Sequence, residues 1–198
     1  VSVPEVELAG CAESHRRLDA AIAGLTDAQA RSASRLPGWS VGHVLTHLAR
    51  NADSVVRRLE AAERGEVVDQ YLGGREGRAA EIDAGAGRSA AELVADVAAS
   101  SARCDEVCAA VAPEVWDRPT RGLAGDLSPA AFLAFSRWRE VEVHHVDLGL
   151  GYEPQDWPPA LVARWLPQQL DALEGRVDPA VLLAWTLGRG VAPDLPDW

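Results

Sequence analysis

An all-α fold, a four-helix bundle with one long crossover loop and a short C-terminal extension, is predicted by three features of the 198-residue chain. Apolar residues recur at three- and four-residue steps rather than alternating, four such stretches are long enough to span a bundle, and clusters of glycine and proline separate them. At 47% apolar and 25% charged residues, the composition is that of a globular protein, neither disordered nor fibrous.

The first helix is predicted from Pro4 to Gly24, where Leu8, Cys11, His15, Leu18, Ala21, Ile22 and Leu25 keep helical spacing. A connection over 26–36 leads to the turn Pro37-Gly38-Trp39-Ser40, and Ser40 reads as the N-cap of a second helix reaching about Arg64. Gly73, Gly74, Gly77 and Gly85 crowd the stretch from Gly65 to Gly87, so the crossover is expected as a long loop with room for a short helix over Arg78–Asp83. Ser89 and Glu92 form a capping-box pattern before a third helix ending near Ala112. Pro113 and Pro119 bracket the next connection. Ser128 then reads as an N-cap with Pro129 at the first helical position of a fourth helix, which Gly149 and Gly151 stop after about Leu148. The bundle domain is assigned to 1–151 and the extension to 152–198, with helices expected from Pro158 to Leu173 and from Asp178-Pro179 to about Gly188.

Thirty acidic against nineteen basic residues give a net charge of −11, which repels a phosphate backbone and argues against nucleic-acid binding. Cys11, Cys104 and Cys108 leave one thiol unpaired in any disulfide scheme and do not form a CxxC knuckle, so a reducing cytoplasmic setting is expected. The first ten residues lack the basic and apolar regions of a signal peptide, and no stretch approaches the roughly 18 apolar residues of a membrane span. The expected partners are small molecules, with no nucleic acid and no membrane, and the chain is expected as a monomer or weak homodimer.

The five histidines are His15, His43, His47, His144 and His145. At about 100° per residue, Leu133, Ser136, His144 and Asp147 fall within about 40° of Glu140, with Phe132, Val143 and Leu148 flanking them. Glu142, His145 and Trp138 point the other way. A carboxylate and an imidazole on a stripe bordered by apolar side chains are costly to bury unless something satisfies them, and a divalent cation is one such thing. On the second helix His47 stands at the edge of the apolar side formed by Val41, Leu45, Leu48, Ala52, Val55 and Leu59, where it can reach a bundle cavity. Three protein ligands of the His2Glu kind suit catalytic zinc, whereas a histidine on an apolar face by itself is more often a satisfied core residue. His43 and His47 have the spacing of a zincin motif but Val44 stands where its glutamate is required. Glu142 and His145 supply half of a di-iron motif without the other half, and Cys104 with Cys108 reads as a core pair.

The segments Leu36-Pro-Gly-Trp-Ser-Val-Gly-His-Val-Leu-Thr-His-Leu-Ala-Arg-Asn-Ala-Asp53 and Arg139-Glu-Val-Glu-Val-His-His-Val-Asp-Leu148 resemble the mycothiol-dependent maleylpyruvate isomerase family of DinB-like four-helix metalloproteins. Arg78-Ala-Ala-Glu-Ile-Asp-Ala-Gly-Ala86 is similar to that family's crossover, and Leu182-Leu-Ala-Trp-Thr-Leu-Gly-Arg189 to its C-terminal helix. The resemblance implies a zinc ion held by His47, Glu140 and His144, with His43 not a ligand and Asp147 an acceptor that fixes a ligand or bound water. It also implies thiol chemistry: zinc lowers the pKa of mycothiol, and the thiolate adds to an electrophilic carbon, leaving again in an isomerase and staying attached in an S-transferase. The isomerase carries a larger C-terminal domain that contributes an arginine for its acidic substrate. The extension over 152–198 has 47 residues here, so a different substrate pocket is expected, with Arg189 the candidate catalytic arginine and Trp39 and His43 candidate pocket residues. The second reading is a non-catalytic DinB-like helical module with a metal-binding or stress-response role.

Overall fold

A computed structural model describes residues 2–195, which divide into two compact units between Asp156 and Trp157. The first unit contains α1 (Glu5–Ile22), α2 (Asp27–Arg31), α3 (Val41–Glu63), α4 (Gly74–Ala86), α5 (Ala90–Ala110), a hairpin of β1 (Pro119–Arg121) and β2 (Leu127–Pro129), and α6 (Ala131–Asp147). The second contains α7 (Pro159–Ala172) and α8 (Pro179–Thr186), the latter capped by the Asp178 carboxylate, which accepts from the backbone N–H groups of Ala180 and Val181. No helix among the described residues is long and apolar enough to cross a membrane.

Helices α1, α3, α5 and α6 form the four-helix bundle: α1 packs on α5 and α6, and α3 packs on the same two. Helix α3 starts where its cap dictates. Ser40 Oγ accepts from the His43 backbone N–H at 3.4 Å, and His43 Nδ1 accepts in return from the Ser40 backbone N–H at 3.2 Å. Ser89 and Glu92 cap α5 reciprocally in the same way. Leu18, Val44, Leu45, Leu48, Leu93 and Val141 form one apolar layer of the core, and Val55, Leu59, Cys104, Trp116 and Leu133 form another. Each such leucine contributes about 1.5–3 kcal/mol by leaving water.

Three sequence expectations are corrected. The crossover's helix is longer than Arg78–Asp83: it is the 13-residue α4, which packs on α3. Its glycines sit where the backbone demands them: Gly73 and Gly74 have φ of +73° and +63° in the turn that opens the helix, and a Cβ on Gly85 would lie 2.5 Å from Thr46 Cγ2 of α3. The connection over 26–36 contains α2, capped by Thr26 and Gln29. Ser128 and Pro129 do not open α6: they belong to β2, paired antiparallel with β1 as Thr120 with Ser128 and Pro119 with Pro129. Helix α6 begins at Ala131 with no side-chain cap.

Candidate functional site

Helices α3 and α6 bring His47, Glu140 and His144 together. Glu140 Oε2 lies 3.1 Å from His47 Nε2 and 3.4 Å from His144 Nε2, and the two imidazoles meet edge to face with centroids 4.7 Å apart. One ligand atom from each of the three residues lies within 4.8 Å of the others, so the donors converge on a common point. The Asp147 carboxylate accepts from His144 Nδ1 at 2.8 Å. That bond keeps a proton on Nδ1, so Nε2, which faces Glu140, is the nitrogen available to a metal. Two imidazoles and one carboxylate are the donor set of a catalytic zinc site with an open position, and their placement fits such an ion.

The electrostatics agree with the geometry. Burial lowers the His47 imidazole to about 4, so it is neutral and a ready donor. Burial opposes the charge on His144 too, but its hydrogen bonds to Asp147 and Glu140 outweigh that and hold it at about 9. Burial would raise the Glu140 carboxyl, yet the two histidines keep it well below the ordinary carboxylate range. A cation held by the cluster would therefore take the place of a proton on His144.

Two of the trio, His47 of α3 and Glu140 of α6, line a cavity of about 370 Å³ together with Asn51 of α3, Leu133 and Ser136 of α6, Tyr71 and Arg78 from the crossover, and Thr120 and Ser128 from the hairpin. Arg78 stacks over the rings of Trp39 and Tyr71, and one of its terminal nitrogens lies 3.3 Å from His47 Nδ1 and 3.5 Å from Nε2. The near-equal distances place that cation across the ring rather than on one lone pair.

The remaining candidates have other surroundings. His43 is occupied in the α3 cap and stacks on Trp39, with Nε2 3.8 Å from Asp83. Trp39 meets His47 edge to face at 5.7 Å but lines a separate surface depression, formed by Arg31 and residues 33–40. Arg189 belongs to the second unit, where its guanidinium donates to the Leu187 carbonyl. Glu142 and His145 point away from the trio: Glu142 accepts from Ser14, Arg17 and Tyr152, and His145 stacks on Tyr152 at 4.0 Å. Cys11, His15 and Asp105 also cluster, but His15 Nδ1 meets Asp105 at 2.9 Å while Nε2 accepts from Arg137 at 3.0 Å. With both ring nitrogens engaged and a buried guanidinium alongside, that cluster does not fit a cation.

Helical periodicity alone does not mark Arg58, Arg75, Arg78 and Arg139 as cavity residues. A signal for one exists: Asn51, Ser54 and Arg58 follow His47 within about 40° around α3, a polar row matching the one on α6. Arg75 and Arg78 become neighbours only once α4 folds onto α3.

Two solved structures share this fold. One is a crystal structure of the mycothiol-dependent maleylpyruvate isomerase, with TM-score 0.77 and 26% identity, and the other a histidine-to-alanine mutant under the same description, with TM-score 0.77 and 25% identity. Each alignment covers 81% of this chain and 66% of the other, so the chain spans less than two thirds of those relatives. No curated protein matches. Residues 11–149 match the family described as the mycothiol maleylpyruvate isomerase N-terminal domain, and the chain belongs to that family.

Proposed function

We propose that this chain is a zinc-dependent enzyme that activates a low-molecular-weight thiol, mycothiol, for addition to an electrophilic small molecule. It acts as a mycothiol S-transferase or as a cis–trans isomerase resembling maleylpyruvate isomerase. The observation that carries the reading is the convergence of His47, Glu140 and His144 beside a cavity that His47 and Glu140 line, with Asp147 fixing the His144 tautomer. A dication held there would supply Lewis acidity, lowering the pKa of a thiol so that thiolate is present at neutral pH. The chain's own residues do the rest. Asp147 orients His144, and Glu140 supplies one negative charge, which with a bound dication would leave the site a net positive charge attractive to sulfur. Ser136 and Asn51 offer hydrogen bonds along the cavity wall, and the aromatic rings of Trp39 and Tyr71 hold Arg78 beside His47. Free Cys11, Cys104 and Cys108 suit a cytoplasmic, reducing location.

The test is metal analysis followed by incubation with mycothiol and a panel of electrophiles, maleylpyruvate included, with products read by mass spectrometry. The purified protein is expected to carry about one zinc per chain, and His47→Ala, Glu140→Ala and His144→Ala to lose most of it. A cobalt-substituted form should change its absorption spectrum when mycothiol is added. Unaltered metal content in the three variants would falsify the site. Bound metal without any thiol response would favour the non-catalytic helical module.

A further inference from the structure

The cavity beside the trio is cationic in a chain of net charge −11. Arg58, Arg75, Arg78 and Arg139 line it, against the carboxylates of Asp126 and Glu140, and Glu140 already faces two histidines. Among the described residues no carboxylate lies within ion-pair distance of Arg58, Arg75 or Arg78. Arg58 is the most telling of them. It is 6% exposed, and its guanidinium donates only to uncharged oxygens: the Ser54 carbonyl at 3.1 Å, Ser54 Oγ at 3.4 Å and the Arg121 carbonyl at 3.4 Å. Neutral acceptors satisfy its N–H groups without offsetting its buried charge. Burial accordingly lowers its pKa to about 10.

The position of Arg58 gives the missing counter-charge a place. It stands eleven residues after His47, about 20° round α3, and its guanidinium folds back beside Ser54, about 11 Å along the helix axis from His47. The facing row on α6, from Glu140 through Ser136 to Leu133 and Phe132, lines the same cavity, and Thr120 and Ser128 of the hairpin line it as well. The cavity is thus a channel with metal donors at one end and an unpaired buried cation further along.

We infer that the electrophile is an elongated anion, with its reactive carbon at the His47–Glu140–His144 end and a carboxylate or phosphate group two helical turns away beneath Arg58, with Arg75 lining the same cavity. The assignment of the reacting end rests on the function proposed above; the anion subsite does not. A guanidinium recognises either oxyanion through paired N–H donors.

The test compares suberate, whose eight-carbon chain spans the distance, with succinate, with neutral suberamide and with hexyl phosphate, titrated into the zinc-loaded and the zinc-free protein. Suberate is expected to bind zinc-loaded protein about tenfold more tightly than succinate, and zinc-free protein about tenfold more tightly than suberamide. The better of suberate and hexyl phosphate in the zinc-free protein names the headgroup. Arg58→Met should remove both preferences while zinc content stays unchanged. Arg75→Met, at an exposed position with little risk to folding, should weaken suberate severalfold, and Arg103→Met, in an exposed pair with Glu60, should change nothing. Equal binding of suberate and suberamide, or full preference in both Arg58→Met and Arg75→Met, overturns the subsite. Failure to load zinc, with Arg58-dependent suberate binding retained, overturns the metal reading and leaves the subsite standing.

Discussion

A single hydrogen bond decides what His144 can do. Its Nδ1 proton is held by Asp147 at 2.8 Å, and Asp147 is itself fixed through its backbone carbonyl, which accepts from the Arg35 N–H at 2.8 Å. Without the carboxylate the imidazole is free to rotate and to change tautomer, and Nε2 is no longer held as the nitrogen that a metal meets. Asp147→Ala keeps the backbone contact and removes only the side chain. It is expected to lower zinc affinity about 10–100-fold with little change in thermal stability, measured by competition against a chromogenic chelator. An affinity equal to the parent's would mean that Asp147 does not orient the ligand.

At the scale of elements, the contact of α4 with α3 decides where Arg78 sits, and that contact depends on missing side chains. A Cβ on Gly42 of α3 would lie 2.3 Å from the Ala86 carbonyl oxygen of α4, a clash with backbone that no rotamer relieves. Gly42→Ala is therefore expected to cost about 1–3 kcal/mol, seen as a drop of several degrees in Tm. Gly87→Ala, with nothing within 4 Å of its Cβ position, should leave Tm nearly unchanged. Equal Tm values for the two variants would show that α4 rides loosely on the bundle. The same contact explains what could be read in the sequence. Ser40, Ser89 and Asp178 announce their helices because a cap is a local event, and the His47, Glu140 and His144 faces follow from helical periodicity. Helix α4 hides because Gly77 and Gly85 answer to neighbours, not to propensity, and the three-residue strands of the hairpin are too short to show a period. The cationic wall was hidden for a related reason: only Arg58 shares a helix with His47, while Arg75 and Arg78 arrive with α4.

Across the whole bundle, the two apolar layers are separated by a polar one to which every long helix contributes: Ser14 and His15 from α1, Asn51 from α3, Ser100 and Ser101 from α5 and Arg137 from α6, all buried. Arg137 organises it, donating to His15 Nε2 at 3.0 Å, to the Leu48 carbonyl at 2.8 Å and to Asn51 Oδ1 at 3.0 Å. His15 must be neutral to accept from Arg137, and burial, with the adjacent guanidinium, lowers its pKa below 6.5 although Asp105 pulls the other way. Between the lowered folded value and the ordinary value of about 6.5 the unfolded chain binds more protons than the folded one, so stability falls as pH drops through that window and is insensitive to His15 above it. Urea unfolding at pH 7.5 and pH 5.0 should thus show a lower midpoint in acid. His15→Gln, which can still accept from Arg137 and donate to Asp105 but cannot titrate, should be somewhat less stable at both pH values and show a smaller difference between them. If the variant keeps the full acid sensitivity of the parent, the proton is taken up elsewhere and the polar layer is not the acid-labile seam of the fold.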